Sequence, residues 1–426
     1  MGNPPFVGYS LQSEAQKADI LSVYVDENGK PYKTAGKIDY VSGWYFKACE
    51  YIQGTEIRAA FVSTNSICQG EQVAGVWKPL YDRFKIHIDF AHRTFRWDSE
   101  ANAKAHVHCV IVGFSVAENK SQRRLYNSEG LQLVDNINPY LVDAKTVFIE
   151  SRRKPIFDVP IMLSGNRPTD GGHLIVEYDE YDDLIKKEPN AQKYIKRFMM
   201  GYEFINNIPR YCLWLVGVSP AEINKMPLVK NRIQLCKQER EKSPDKGRQK
   251  LAETPMLFRE TLNPSDFIAI PKVSSETRQY IPMGYLHSDV IAGDKLFMIP
   301  DGTLYHFGVL TSGVHMGWMR AVSGRMKSDY SYSINIVYNN FPWCSPTDEQ
   351  KTQIEATAQA ILDARAKHPD CSLADLYDET TMPPELRRAH KDNDNAVLAA
   401  YGFSKNITEG EIVAELMKMY QELTSK

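Results

Sequence analysis

The stretch Asn3-Pro4-Pro5-Phe6 holds an amide side chain, a main-chain carbonyl and an aromatic ring in fixed relation. Two adjacent prolines lock φ, remove two N–H donors and push the residue before them into an extended conformation. The Asn3 amide oxygen and the Pro4 carbonyl are placed to accept both hydrogens of an exocyclic NH2 group. Such acceptance steers the nitrogen lone pair toward an incoming methyl group and stabilises the positive charge that develops on nitrogen. Phe6 is a stacking surface for a nucleobase, worth about 1–3 kcal/mol. A base inside a duplex must first be extruded to reach it. The same four residues also suit a proline-rich terminal turn.

The elements that would position this loop read as strand and helix in alternation over residues 1–144. Val41, Trp44, Tyr45, Ala48 and Ile52 fall on one helical face. Residues 57–64 (IRAAFVST) are a short apolar strand. Phe84, Ile86, Ile88 and Phe90 alternate with Lys85, His87 and Asp89 as in a half-buried strand, and residues 106–114 (HVHCVIVGF) suit a fully buried one. This order predicts an α/β sheet, without the glycine-rich strand-to-helix turn that usually begins one. Residues 145–345 read as mixed. HLIVEY, YCLWLVGVS, DFIAIPKV and KLFMIP suit strands. IKKEPNAQKYIKRFMMGYEFI and LYHFGVLTSGVHMGWMRAV suit helices, and the polar run 237–250 suits a mobile excursion or a helix edge. Residues 346–426 read as helical, with starts at Ser345-Pro346-Thr347-Asp348-Glu349, at Pro383-Pro384-Glu385 and after Thr408.

The chain has 426 residues, 43% of them hydrophobic and 24% charged, with a net charge of -2. This composition argues against wholesale disorder. The charge is unevenly spread: -1 over residues 1–144, +5 over 145–345 and -6 over 346–426. The basic middle fits either a face that meets polyanion phosphates or an ordinary solvated surface. Seven scattered cysteines without a C-x-x-C suggest free thiols in a reducing compartment. Neither a signal peptide nor a run of about 18 apolar residues is present, so the expectation is a cytoplasmic protein.

Beyond these readings, the order of segments resembles a known family. NPPF is followed by DYVSGWYFKA (39–48), FVSTNSICQGEQ (61–72) and FAHRTFRWDSEANAKAHVHCVIVGF (90–114). Then come RRKPIFDVPIMLSGNRPTDGGHLIVEYDE (152–180), SSETRQYIPMGYL (274–286), PDGTLYHFGVLTSGVHMGWMRAVSGRMKSDYSYS (300–333) and IVYNNFPW (336–343). ATAQAILDARAKHP and LADLYDETTMPPELRRAH complete the series. Together these resemble the C-terminal part of MmeI-like restriction-modification enzymes, which methylate adenine in DNA. The resemblance implies three parts. Residues 1–144 would be the C-terminal half of a Rossmann-like methyltransferase sheet, 145–345 a mixed α+β target-recognition domain, and 346–426 a helical region.

It further implies a catalytic role for Asn3, Pro4, Pro5 and Phe6, with Phe95 or Trp97 sandwiching the extruded base. In the family a glycine-rich S-adenosylmethionine site, and often a nuclease domain, precede the NPPF loop. The resemblance therefore implies a native fragment, one half of a split gene, or an excerpt. Such a chain is expected to be inactive alone and to bind the cofactor poorly. The open sheet edge is expected to bring instability, aggregation or pairing with a complementary subunit.

The family reads double-stranded DNA, and Arg278, Arg320, Arg325, Lys327, Ser328, Asp329 and Tyr330 are the candidate contacts. Arginine and lysine can bind guanine edges bidentately, and aspartate can accept from cytosine. Each of these residues can equally touch phosphate, which positions without specifying, and Asp329 can instead pair with an arginine. A non-catalytic specificity module is the alternative function. A protein-glutamine methyltransferase, which also uses an Asn-Pro-Pro-aromatic loop, needs no recognition region of this size. His106 and His108 share a strand face without a third ligand at metal spacing. His306 and His315 read as packing residues, and no phosphate-binding G-x-x-x-x-G-K-[ST] motif occurs.

Overall fold

The computed structural model describes residues 1–98, 106–117 and 121–425. Residues 1–158 hold helices α1 (Glu14–Val23), α2 (Ser42–Tyr51) and α3 (Gly70–Phe84). Their strands are β1 (Ala59–Thr64), β2 (His87–Asp98), β3 (His106–Ser115), β4 (Arg123–Asn127) and β5 (Gly130–Val134). Next come β6 (Leu163–Ser164), β7 (Ile175–Val176), α4 (Tyr178–Lys187), β8 (Ile195–Met199), α5 (Gly201–Asn206) and β9 (Tyr211–Leu213). Helices α6 (Pro220–Asn224), α7 (Pro227–Glu241) and α8 (Lys246–Lys250) precede β10 (Asp266–Pro271), β11 (Val273–Ser274), β12 (Gly284–His287), β13 (Val290–Ala292) and β14 (Leu296–Pro300). Then follow α9 (Leu304–Leu310), α10 (Gly313–Val322), β15 (Gly324–Met326) and β16 (Asp329–Ser331). The chain ends in α11 (Asp348–Ala366), α12 (Leu373–Leu376), α13 (Pro384–Tyr401) and α14 (Glu409–Thr424).

These elements form two units. The first comprises Met1–Asp158, Gly313–Ser345 and Gly402–Lys426; the second comprises Val159–Ser312 and Pro346–Tyr401. In the first, a five-stranded sheet has the order β1-β3-β2-β4-β5. β3 runs antiparallel to both β1 and β2, while β4 runs parallel to β2. The α/β expectation holds. Tyr45 of α2 stacks on Phe114 of β3 at 5.4 Å and meets Phe61 and Trp77 edge-on at 5.1 and 5.2 Å. This aromatic knot, in which the Trp77 indole donates to the Ile67 carbonyl at 2.8 Å, fixes α2 and α3 to one sheet face. Asp89, read as solvent-facing, is buried where a bulge separates Ile88 from Phe90.

The second unit has two four-stranded sheets, β12-β10-β14-β6 and β13-β8-β9-β7. Phe204, Phe267, Leu296 and Met298 fill one core, and Phe198, Cys212, Cys236 and Phe258 fill another. Two expectations need correction here, and a third is decided between its alternatives in favour of a helix edge. The stretch 185–205 is not one helix: Pro189 follows the end of α4, and β8 inserts between β9 and β13. The stretch 304–322 breaks at Thr311–Ser312 into α9 and α10. The polar run 237–250 is the end of α7 followed by α8, and Arg240 within it is fully buried. Its guanidinium donates to the carbonyls of Pro168, Thr169, Leu251, Thr254 and Leu257 at 2.8–3.0 Å.

The C-terminal helices begin as the sequence indicates. Thr347 and Thr408 each cap a helix reciprocally with the residue three positions on, and Pro384 opens α13.

Candidate active site and nucleic-acid interface

Gly2 bridges β1 in parallel, accepting from Val62 N and donating to Ala60 O at 3.0 Å each. Because the pairing is parallel, residues after Gly2 run toward the carboxyl end of β1. There Thr64 pairs with Cys109 of β3, and Cys109 pairs with Phe95 of β2. The NPPF loop and Phe95 therefore share one sheet edge. They are separated by three strand spacings, about 14 Å. The carboxyl edge of such a sheet is where α/β proteins form ligand crevices.

Pro4 is buried and Phe6 half-buried, which anchors the loop, while Asn3 and Pro5 are exposed. The Asn3 amide has no hydrogen-bond partner among the described residues. Phe95 is half-buried against His92, with ring centroids 4.8 Å apart. Trp97 lies two residues further along β2, 6.2 Å from Phe95 and 48% exposed. His92 in turn lies parallel to Tyr126 of β4 at 6.3 Å, extending the line of rings. Neither His92 nor Tyr126 stands out in the sequence, because strand pairing alone brings them to the line.

The loop is followed by a strap. Tyr40 N donates to Val7 O at 2.9 Å, and Gln12 Nε2 donates to Ile38 O at 2.9 Å. Asp39, which is 6% exposed, accepts from Tyr9 N at 3.0 Å and from the Ser66 hydroxyl. Sequence reading missed Asp39, since it appears there only as the start of a helical segment.

Of the DNA-contact candidates, Arg325 to Tyr330 lie on the β15–β16 hairpin, whose two-residue turn holds Lys327 at φ 59°. Lys327 is exposed at the tip, and Ser328 and Asp329 are half-buried. The Arg325 guanidinium lies 3.9 Å above the ring of Tyr330, which is buried. Arg320 pairs with Glu409 at 2.6 Å and donates to the Tyr330 hydroxyl at 3.3 Å. Arg320 and Tyr330 thus hold the hairpin, while Lys327 at its tip faces solvent. A Cβ at Gly70 would lie 3.3 Å from Gly324 N. The hairpin therefore starts against the first residue of α3, just past the carboxyl end of β1. Arg278 lies in the second unit, half-buried in a turn where its N–H donates to Ser275 O at 3.2 Å.

His315 is buried, with its ring nitrogen 2.8 Å from the Tyr332 hydroxyl and its ring edge-on to Phe341. Burial pulls its pKa down to about 3, as suits a packing histidine. The His106 side chain lies outside the described residues. Among the described residues no group of three or more His, Cys, Asp or Glu could hold a metal, and no helix is long and apolar enough to cross a membrane.

Three family signatures cover most of the chain. Residues 1–127 match the MmeI DNA-methyltransferase domain, 143–345 the MmeI target recognition domain, and 346–426 the MmeI C-terminal domain. The sequence is 42% identical over 426 residues to DNA methyltransferase A of Bacillus subtilis (strain 168), covering all of this chain and 48% of that protein. The fold superposes with a TM-score of 0.91, at 45% identity, on the solved structure of the Type IIL restriction-modification enzyme MmeI in complex with DNA. That match covers all of this chain and 57% of the MmeI chain. The chain thus spans about half the length of these relatives. On these matches, the chain belongs to the MmeI family of DNA methyltransferases and carries its target-recognition region.

Proposed function

We propose that this chain supplies the catalytic loop and the sequence-reading surface of an adenine-specific DNA methyltransferase. The observation that carries the proposal is the exit of Asn3-Pro4-Pro5-Phe6 at the carboxyl edge of β1, with Phe95 in the same row. An adenine extruded into this edge would stack against Phe6, with Phe95 or Trp97 facing it. The Asn3 amide oxygen and the Pro4 carbonyl would accept the two N6 hydrogens and stabilise the charge gained by N6 as it takes up the methyl group. The loop's exposed amide suits this role, because it needs no internal bond broken before it can accept.

S-adenosylmethionine is the methyl donor that the family implies. The described residues do not fit a complete pocket for it. Among them, no strand beyond the Gly2 bridge pairs with the outer edge of β1, and no glycine-rich turn leads from a strand into a helix. We assign the cofactor site to the portion of the relatives that this chain does not span, supplied as a connected region or a complementary subunit. The chain by itself is then expected to be inactive. Residues 1–144, 145–345 and 346–426 would serve as catalytic, recognition and helical parts, working in the cytoplasm on double-stranded DNA. Arg278, Arg320, Arg325, Lys327, Ser328, Asp329 and Tyr330 would serve as the DNA contacts, with Arg320 and Tyr330 also setting the hairpin.

The test is transfer of labelled methyl to DNA by the complete enzyme carrying Asn3→Ala. Loss of methylation with DNA affinity retained is expected; retained methylation would defeat the mechanism. The exposed hairpin tip also favours a second reading, a specificity module that works without catalysis. In that case this chain alone binds a specific duplex, with affinity falling as salt rises. Salt-independent binding would count against phosphate contacts.

A further inference from the structure

We infer that Asp39 is the positioning residue that locks the NPPF loop to the sheet edge; the inference rests on the methyltransferase reading above. Its two carboxylate oxygens serve two different segments. Oδ1 accepts from the main-chain N–H of Tyr9, three residues after Phe6, at 3.0 Å. Oδ2 accepts from the hydroxyl of Ser66, two residues past the end of β1, and that hydroxyl also lies 3.0 Å from Thr64 Oγ1. The carboxylate thus ties the outgoing arm of the loop to the turn that forms the carboxyl edge of β1.

Asp39 is itself held from several sides. Its N–H donates to Gln72 Oε1 of α3 at 3.1 Å, and Gln72 Nε2 donates to Lys37 O at 2.7 Å. Tyr40 N donates to Val7 O at 2.9 Å, and Gln12 Nε2 donates to Ile38 O at 2.9 Å. Residues 37–40 are therefore anchored on both sides of the carboxylate. At 6% exposure, water competes little for its oxygens, so the two bonds hold the loop more firmly than surface bonds would. Upstream, the Gly2 bridge ties the loop to β1. Downstream, Asp39 makes the tie between Tyr9 and the sheet edge.

An amide at this position keeps the size but changes the chemistry. An asparagine side chain would offer one acceptor oxygen and one NH2 donor, and that donor must face either the Tyr9 N–H or the Ser66 hydroxyl. One tie is then lost or reversed. A displacement of about 1 Å in a reacting group can cost 10²-fold in rate. The substrate-binding surfaces, by contrast, are untouched.

The experiment uses the complete enzyme with S-adenosylmethionine, and kcat and KM are measured on the unmodified target duplex. Base extrusion is read separately on a duplex with 2-aminopurine in place of the target adenine, which has no C6 amine to methylate. Asp39→Asn is expected to lower kcat at least tenfold, leave the KM for DNA within twofold, and leave the melting temperature and the extrusion signal near wild type. Ser66→Ala, which removes one of the two ties and disturbs packing less, is expected to show a smaller kcat loss of the same kind. The double variant is expected to lose less than the product of the single losses, because both act through one tie. Wild-type kcat in Asp39→Asn would overturn the inference. So would a kcat loss matched by equal losses of DNA affinity and thermal stability, which marks a merely structural role. Asn3→Ala is run alongside: if it stays active the methyltransferase mechanism itself fails, whereas an inactive Asn3→Ala beside an active Asp39→Asn removes only the role of Asp39.

Discussion

Arg240 shows how much one side chain can hold when nothing about its neighbours in sequence announces it. It sits among Gln238, Glu239, Glu241 and Lys242, yet it is fully buried and binds five main-chain carbonyls. Those carbonyls come from residues 168–169 and 251–257, two loops that would otherwise bury unpaired acceptors. Lysine at this position keeps the charge but has three donors on a single atom, without the planar fork that reaches both loops. At least two carbonyls would be left unsatisfied, at about 1–3 kcal/mol each. Arg240→Lys is therefore expected to lower the urea midpoint of the second unit by the equivalent of several kcal/mol. An unchanged midpoint would mean that water replaces the lost donors.

The elements divide into those set by local rules and those set by partners. Thr408 is of the first kind. Its hydroxyl accepts from Glu411 N at 3.3 Å, and the Glu411 carboxylate accepts in return from Thr408 N at 2.8 Å. This reciprocal pair starts α14, which packs on α10 through Trp318 and Tyr420 at 6.1 Å. Thr408→Ala is expected to cost about 1 kcal/mol, read as a lower melting temperature with unchanged helix content at low temperature. Gly308 is of the second kind. Helix α9 crosses α11 so closely that a Cβ at Gly308 would lie 2.7 Å from Ile354 Cγ2 and 3.2 Å from Ala358 Cβ. The Gly308 carbonyl also accepts from Asn393 of α13 at 2.8 Å. Gly308→Ala is expected to destabilise the second unit by about 1–3 kcal/mol despite alanine's better helix propensity. A stabilised variant would show that propensity outweighs the clash.

The same division decides what the sequence tells. Capping signals at Thr347 and Thr408 and the alternation through Ile86 and Ile88 are local, and they stand in the structure as read. Strand β8 was hidden, because Ile195–Met199 takes its conformation from pairing with β9 and β13 rather than from its own pattern. At the site, the NPPF loop is legible because four adjacent residues carry the chemistry. Asp39 is not, since its meaning comes from Tyr9 and Ser66, thirty and twenty-seven positions away. Arg320 reads as a candidate DNA contact from its type and place, and its pairing with Glu409, eighty-nine positions on, is not legible in the sequence.

At the scale of the whole molecule, the chain weaves three segments into one unit and two into the other, and each unit buries a neutral histidine. His315 lies in the first, and His390 lies in the second, stacked on Tyr280 at 4.1 Å and bonded to the Tyr377 hydroxyl at 2.7 Å. Burial holds the pKa of His315 down to about 3 and that of His390 well below the ordinary range, where the nearby Arg365 guanidinium lowers it further. In the unfolded chain both titrate near 6.5. The folded pKa is the lower one, so each histidine leaves stability intact above pH 6.5 and removes it as pH falls toward the folded value. For His315 the loss reaches about 2 kcal/mol at pH 5. Stability of both units is therefore expected to fall between pH 6.5 and 4.5, faster than carboxylate protonation alone would give. His390→Phe keeps a ring on Tyr280, while the Tyr377 hydroxyl keeps its bond from Arg365 Nε at 2.8 Å. Urea unfolding of this variant, followed from pH 7.5 to 5, is expected to show a smaller loss of stability for the second unit, the difference opening below pH 6.5 and its slope approaching about 1.4 kcal/mol per pH unit only near pH 5, with the first unit unchanged. If the slope of the second unit matches wild type, His390 takes up its proton without unfolding, and the buried neutral ring is not what makes this unit acid-sensitive.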